Sequence, residues 1–337
     1  MLKTALLASL AAIASLATQP ALAQSSAAPL TVYSARNEQL LKPLLERFTT
    51  ETGIAVRTLT DKEGPLLARL RSEGKSTPAD VLITVDAGNL WQAAKEGVLR
   101  PVQSKVLLAN VPAHLRDPGN QWFGLSVRAR TLVYDKRKVA PDQLSTYEDL
   151  AHAKWKGKLC LRTSKKVYNQ SLVAAITARL GEERTQAVVR GWVENLATDV
   201  FSDDTSLIKA IAAGQCQVGI ANSYYLGRLL DADPTLPVGL FWANQAQGGV
   251  HVNVSGAGVT QHSKNPENAQ RLIEWLSSEA AQQIYTDKDL EYPVNTKVQP
   301  DSIIKAWGPF KSDTLNVSQL GEGQAKATML MDRMGYR

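Results

Sequence analysis

Residues Cys216–Asp231 read CQVGIANSYYLGRLLD, and this stretch decides the fold. Cys216–Ala221 is a short apolar run with the character of a β-strand. Asn222 and Ser223 are small polar residues suited to a helix start, and YYLGRLLD then places apolar residues at helical spacing. A strand therefore hands over to a helix through a very short turn. The same pattern occurs three times upstream. Leu30–Tyr33 (LTVY) passes through SARNEQ into LLKPLLERFTTETG, which stops at Gly53. Val81–Val85 (VLITV) passes through DAGN into LWQAAKEG, and Leu159–Leu161 passes through RTSKK into VYNQSLVAAITARLG. Alternating strands and helices predict an α/β fold with helices on both faces of a largely parallel sheet. Ligands of such sheets bind beyond the carboxyl ends of the strands, where helix N-termini present free N–H groups. The four turns would bring to that edge Tyr33, Arg36, Asn37 and Glu38, then Asp86, then Tyr168, and finally Asn222, Tyr224 and Tyr225.

Two longer β runs join this pattern into a larger architecture. RTLVYD, within Gly124–Pro141, can carry the chain from one lobe to another, and GGVHVNVSGAGVT (Gly248–Thr260) can carry it back. Two α/β lobes joined by two crossover strands form a hinged clamshell with the ligand cleft between them. The expected division is residues 24–127 with 255–300 in lobe 1, and 128–254 with 301–337 in lobe 2. NPENAQRLIEWLSSEAAQQIYT reads as one amphipathic helix, and a last helix is expected around Gly323–Met334.

The 337 residues, 44% hydrophobic and 21% charged, suit about two domains of a soluble protein. The N-terminus has Lys3, an apolar run from Ala5 to about Leu16, and Ala21-Leu22-Ala23 before Gln24. That is the pattern of a secretory signal peptide over residues 1–23, cleaved after about Ala23, and the apolar run is short for a membrane span. With no Cys near the cleavage site, no lipid anchor is expected, and the mature chain reads as a periplasmic monomer. The formal charge is +6, or +5 once Lys3 leaves with the signal, spread along the chain without blocks. Such a balance favours anions mildly and does not describe a nucleic-acid surface. The two cysteines, Cys160 and Cys216, fall in strand-like runs and would meet an oxidising compartment. A disulfide between neighbouring strands fits; two buried thiols or a soft metal site are the alternatives, and zinc is disfavoured without clustered partners.

The tyrosines at the turns pose the functional question. A Tyr near a helix start ordinarily packs its ring and exposes its hydroxyl, and Tyr33 and Tyr134, inside β runs, are read that way. The other reading is metal ligation. A phenol with an ordinary pKa of about 10 loses its proton only to a strong Lewis acid, and Fe(III) is such an ion. Three phenolates neutralise its charge, leaving positions for a chelating anion such as carbonate or bicarbonate, held by Arg and helix N–H groups. Neighbouring residues in a strand point to opposite faces, but at a helix start they diverge by about 100°, so Tyr224 and Tyr225 can converge on one ion. Tyr168 sits at the equivalent turn of the preceding unit.

The stretches LTVYSARNEQLLKPLLERF, ADVLITVDAGNLW, GLSVRARTLVYD, LCLRTSKKVYNQSLVAA and GIANSYYLGRL resemble the periplasmic ferric-ion-binding proteins of bacterial ABC iron transporters. VYNQSL and NSYY are the most specific of them. The resemblance implies a two-lobed class II binding-protein fold that closes on Fe(III) and delivers it to an inner-membrane permease. It places Tyr168, Tyr224 and Tyr225 as metal ligands. Arg36 and Arg128 fall in the segments that hold a synergistic anion, with Asn222 a weaker member of that shell. This chain also departs from the pattern. Several family members carry a His and another ligand where Asn37 and Glu38 stand, and Val85 falls where some have a ligating Glu. That places it with the subgroup of three tyrosines and an exogenous anion. Glu38 is either a fourth protein ligand or, preferably, a helix N-terminal charge.

Other candidates read more simply. Arg128 and Arg130 share one face of a strand, and the place between lobes favours an anion role for Arg128. Asp86 is expected to cap a helix. His114, His152, His251 and His262 are scattered without metal-ligand spacing. No G-x-S-x-G, H-E-x-x-H or P-loop is present, so the chain is not expected to be an enzyme. The competing readings are the same fold holding a polyamine, thiamine or organic anion, and, more remotely, an exported hydrolase.

Overall fold

The structure is a computed structural model describing residues 28–337; the expected signal peptide lies outside the described residues. Eight strands form one mixed sheet: β1 (Leu30–Ser34), β2 (Val56–Thr60), β3 (Val81–Val85), β4 (Phe123–Asp135), β5 (Leu159–Cys160), β6 (Val218–Asn222), β7 (Val238–Phe241) and β8 (Val252–Val259). Their order is β2-β1-β3-β8-β4-β6-β5, with β7 on β4 outside this path. The flanks are parallel, as the alternating pattern predicts, in the β1–β2, β1–β3 and β5–β6 pairs. The middle is antiparallel, because both long crossover strands run there.

The change of partners along β4 organises the molecule. Its first part, Phe123–Ala129, pairs with β8, and Arg130–Asp135 pairs with β6 and β7. RTLVYD is thus the second half of a 13-residue strand, every residue of which is buried. The return strand β8 lies between β3 and β4. A Cβ on Gly256 would stand 2.6 Å from the Phe123 carbonyl oxygen, so the glycines that interrupt this run let the strands approach.

Three of the four strand-to-helix turns lead straight into the expected helices: Glu38–Thr52 after β1, Ala87–Lys95 after β3 and Ser223–Ala232 after β6. The fourth, Val167–Leu180, begins seven residues past the end of the two-residue β5. Asn37 and Asp86 cap their helices, accepting from Gln39 N at 2.9 Å and Gly88 N at 2.8 Å. Asn222 does not cap its helix; its side chain is drawn elsewhere. The segment NPENAQRLIEWLSSEAAQQIYT is two helices rather than one, Pro266–Leu276 and Glu279–Asp289. The break falls at the serines, where Ser278 Oγ accepts from Ala281 N and starts the second helix.

The last helix, Ser318–Arg333, lies on both the Ala87–Lys95 and Val167–Leu180 helices and so braces the two sides of the sheet. Its close approach to the former depends on Gly321, whose Cβ would stand 2.7 Å from the Trp91 Cβ. Cys160 and Cys216 form a disulfide with Cα atoms 5.9 Å apart. Cys160 belongs to β5, but Cys216 precedes β6 by two residues and is not part of the strand expected there. Around the bridge Leu207, Ile208, Ile211 and Val238 form a compact apolar cluster. Among the described residues no helix is long and apolar enough to cross a membrane.

Candidate functional site

A cleft of about 600 Å³ opens beyond the ends of β1, β3 and β6, beside the point where β4 changes partners. Ala35–Asn37 enter it from the turn after β1, Val85 from the end of β3 and Arg128 from β4. Lys166 and Tyr168 reach it from one helix start, and Tyr224, Tyr225 and Arg228 from another. The turns with the expected tyrosines therefore face one space. The Tyr168 and Tyr224 phenol oxygens are 3.5 Å apart. The Tyr225 ring lies against that of Tyr224, with centroids 4.4 Å apart and planes tilted by 34°. Neither the Val167–Leu180 helix nor the Ser223–Ala232 helix has a side-chain cap, so both leave first-turn N–H groups at this edge.

The charge around the phenols is positive. The Arg128 guanidinium carbon stands 5.6 Å from the Tyr168 ring centre and 5.5 Å from that of Tyr224, and its Nη1 donates to the Tyr168 hydroxyl at 3.5 Å. Lys166 Nζ is 4.9 Å from the Tyr168 ring, and Arg228, one helical turn after Tyr224, is 5.0 Å from the Tyr224 ring. Burial pushes the Tyr224 phenol well above its ordinary pKa, and the adjoining Tyr168 adds to the rise; Arg128 opposes it. Without a cation in the cleft Tyr224 is neutral at pH 7. Burial works against the charge of Arg128, but the buried Glu291 carboxylate beside it favours the charge, and the guanidinium stays above its usual range.

Glu291 is the residue that sequence inspection missed. It is fully buried on the cleft floor and accepts from Ser126 Oγ, from Arg128 Nε at 3.3 Å and from Arg36 Nη1 at 3.3 Å. Burial alone would raise its pKa; Arg36 and Arg128 overcome that and lower it to about 2. Nothing in the irregular DLEYPVN segment marks it, since its role exists only where the chain brings it beneath β4. Arg228 carried a faint signal, four residues after Tyr224 and so on its helix face, and Lys166 stands just before Tyr168.

The remaining sequence candidates take particular places. Arg36 borders the cleft, and both terminal nitrogens of its guanidinium have protein partners: Nη2 is paired with Asp289, and Nη1 donates to Ser255 Oγ at 2.8 Å. Its Nε is buried without a partner. Arg36 is thus ion-paired within the protein while bordering the cleft where an anion contact was expected. Asn222 is buried, with Oδ1 accepting from Arg130 at 3.0 Å and Nδ2 donating to the Tyr224 hydroxyl at 3.3 Å, so its partners are protein groups as well. Glu38 is exposed and lies on a surface groove beside β2, outside the cleft, as the first residue of its helix. Asp86 is buried under the cleft and accepts from Gly88 N and, at 2.7 Å each, from Ser171 Oγ and Asn253 Nδ2. Among the described residues no group of three or more His, Cys, Asp or Glu is placed to hold a metal.

A mixed sheet with two crossover strands, and a basic, phenol-lined cleft beside them, defines a two-lobed solute-binding protein. The chain belongs to the bacterial extracellular solute-binding protein family, whose model matches residues 44–312. It is 44% identical over 314 residues to iron uptake protein A1 of Synechocystis sp., covering 91% of this chain and 87% of that protein. It is 28% identical to the Fe(3+)-binding periplasmic protein of Serratia marcescens, over 79% of this chain and 78% of that one. Among solved structures it superposes on Trichodesmium FutA in complex with iron and citrate, with a TM-score of 0.88 and 43% identity over 92% of this chain and all of that one. The Bordetella ferric binding protein matches with a TM-score of 0.85 and 39% identity, over 91% of this chain and 99% of that one.

Proposed function

We propose that this chain is the periplasmic binding component of an ABC transporter. It takes up Fe(III) between its lobes through the phenolates of Tyr168, Tyr224 and Tyr225 and delivers it to an inner-membrane permease. The observation that carries the reading is the 3.5 Å separation of the Tyr168 and Tyr224 oxygens, with the Tyr225 ring tilted against that of Tyr224. Two oxygens each about 2 Å from one ion stand at most about 4 Å apart, so a single cation fits between these without a change of backbone. Three phenolates balance the ferric charge, and the hard anionic donor set suits Fe(III) over softer ions. The names of its relatives support the same cargo.

A carbonate-like anion completes the coordination in this reading. Arg128 is the contact best supported for it, with Lys166 and Arg228 supplying positive charge at the mouth. Arg36 serves by fixing Glu291 under Arg128, and Asn222 by donating to Tyr224. Glu38, outside the cleft, acts as a helix N-terminal charge. The lobes divide at 127/128 on β4 and 254/255 on β8, which the exchange of partners near Ala129–Arg130 supports, and residues 301–337 return to lobe 2. Removal of residues 1–23 releases a soluble monomer into the periplasm.

Ferric phenolates absorb in the visible. Apo protein given Fe(III) and bicarbonate is expected to turn coloured; Tyr168→Phe, Tyr224→Phe and Tyr225→Phe should each weaken the band and the affinity. No visible band in the wild type would overturn the function, and a triple variant that binds as the wild type does would overturn the ligand set.

A further inference from the structure

Arg130 stands two residues beyond Arg128 on β4, on the same face of the strand, yet it does not reach the open cleft. It is 2% exposed, and all its guanidinium nitrogens are engaged. Nε and Nη2 donate to Asn169 Oδ1 at 3.0 and 2.7 Å; Nη1 donates to Asp204 Oδ2 and to Asn222 Oδ1, each at 3.0 Å; Nη2 also reaches the Ile220 carbonyl at 3.2 Å. Both amide side chains are thereby turned with their oxygens toward Arg130, and their nitrogens point the other way. Asn169 Nδ2 donates to the carbonyls of Arg162 (2.8 Å) and Thr163 (3.0 Å), closing the turn that leads into the Tyr168 helix. Asn222 Nδ2 donates to the Tyr224 hydroxyl at 3.3 Å. Asp204 secures the Asn222 arm, because the carboxylate oxygen that accepts from Arg130 also accepts from Asn222 N at 3.1 Å.

We propose that Arg130 is a positioning residue of the iron site: one planar guanidinium, held by Asp204, sets through Asn169 and Asn222 the distance between the Tyr168 and Tyr224 phenols. This rests on the reading of those tyrosines as ligands. Tyr168 and Tyr224 come from different helices with no backbone pairing between them, so their separation needs a rigid link. A buried fork that donates in several directions at once supplies one, which the single point charge of lysine does not. Groups one step behind metal ligands commonly matter by about tenfold to a hundredfold in affinity.

The test is Arg130→Lys, which leaves Asp204 with a cation but cannot serve both amides. The expected result is a folded protein whose ferric charge-transfer band is shifted and weakened per bound iron, with affinity lower on the order of tenfold to a hundredfold. Its crystal structure should show the phenol oxygens displaced from 3.5 Å. Asn222→Ala should shift the band in the same direction, and the double variant should cost less than the sum of the two. A folded Arg130→Lys with wild-type band and affinity overturns the proposal, as does strict additivity. If Arg130→Lys fails to fold, Asn169→Ala and Asn222→Ala carry the test, and wild-type behaviour in both overturns it. No band in the wild type removes the iron reading itself; a wild-type band with unshifted variants removes only the role of Arg130.

Discussion

Tyr224 and Tyr225 are neighbours in sequence, yet one is buried against Arg128 and the other is half exposed at the mouth of the cleft. Their convergence follows from position: at a helix start the two side chains leave the backbone about 100° apart rather than on opposite faces. Which residues tune them was not legible in the same way. Glu291 neutralises Arg36 and Arg128 from a loop far away in sequence, and its value depends on complete burial. Removing one partner of a buried ion pair strands the other, so Glu291→Gln is expected to cost about 3 kcal/mol in urea unfolding at pH 7. The pH dependence has a definite sign. The folded-state pKa of Glu291 is depressed from 4.5 to about 2, so its contribution is present above about pH 4.5 and is lost as pH falls toward 2. The variant should lose less stability than the wild type across that window; parallel curves would show that Glu291 is not held as its neighbours imply.

The elements of the sheet and their helices were largely written in the sequence, because burial and short turns impose local patterns. VLITV is β3 residue for residue, and LTVY is β1 short of Ser34. The errors fall where a local pattern does not fix the outcome. The helix expected through Leu276–Ser278 breaks because a serine side chain satisfies the backbone of a new start. Cys216 reads as strand from its apolar context but precedes β6. The disulfide ties that approach segment to β5 and closes a loop of 56 residues in sequence separation. A loop of that length is worth about 4 kcal/mol in the chain-entropy model, so a Cys160→Ser/Cys216→Ser protein should unfold at correspondingly lower urea. An unchanged midpoint would mean that the apolar cluster around the bridge suffices without it.

At the scale of the molecule, ligand binding and stability are linked. A cation held by phenols that only folding brings together binds the folded chain and not the unfolded one, so on the proposed reading free Fe(III) buffered at 100 times Kd should raise unfolding stability by about 2.7 kcal/mol. That increment should shrink as pH falls. Tyr224 is neutral in the apo protein, and each phenol that ligates must release a proton. Denaturation with and without buffered iron at two pH values checks both statements; an increment that grows at the lower pH would exclude phenolate ligation.

Alternation of strand and helix, the short turns and the tyrosines at two of them are properties of neighbouring residues, so the sequence by itself determined the α/β class, the crossover strands and the placing of tyrosines at the edge of the sheet. The long β4, the exchange of its partners near Arg130, the Glu291 counter-charge and the amide links behind Tyr168 and Tyr224 were decided only in the tertiary structure. Each joins groups tens to hundreds of positions apart, and its energy comes from burial and from oriented hydrogen bonds, which no local pattern encodes.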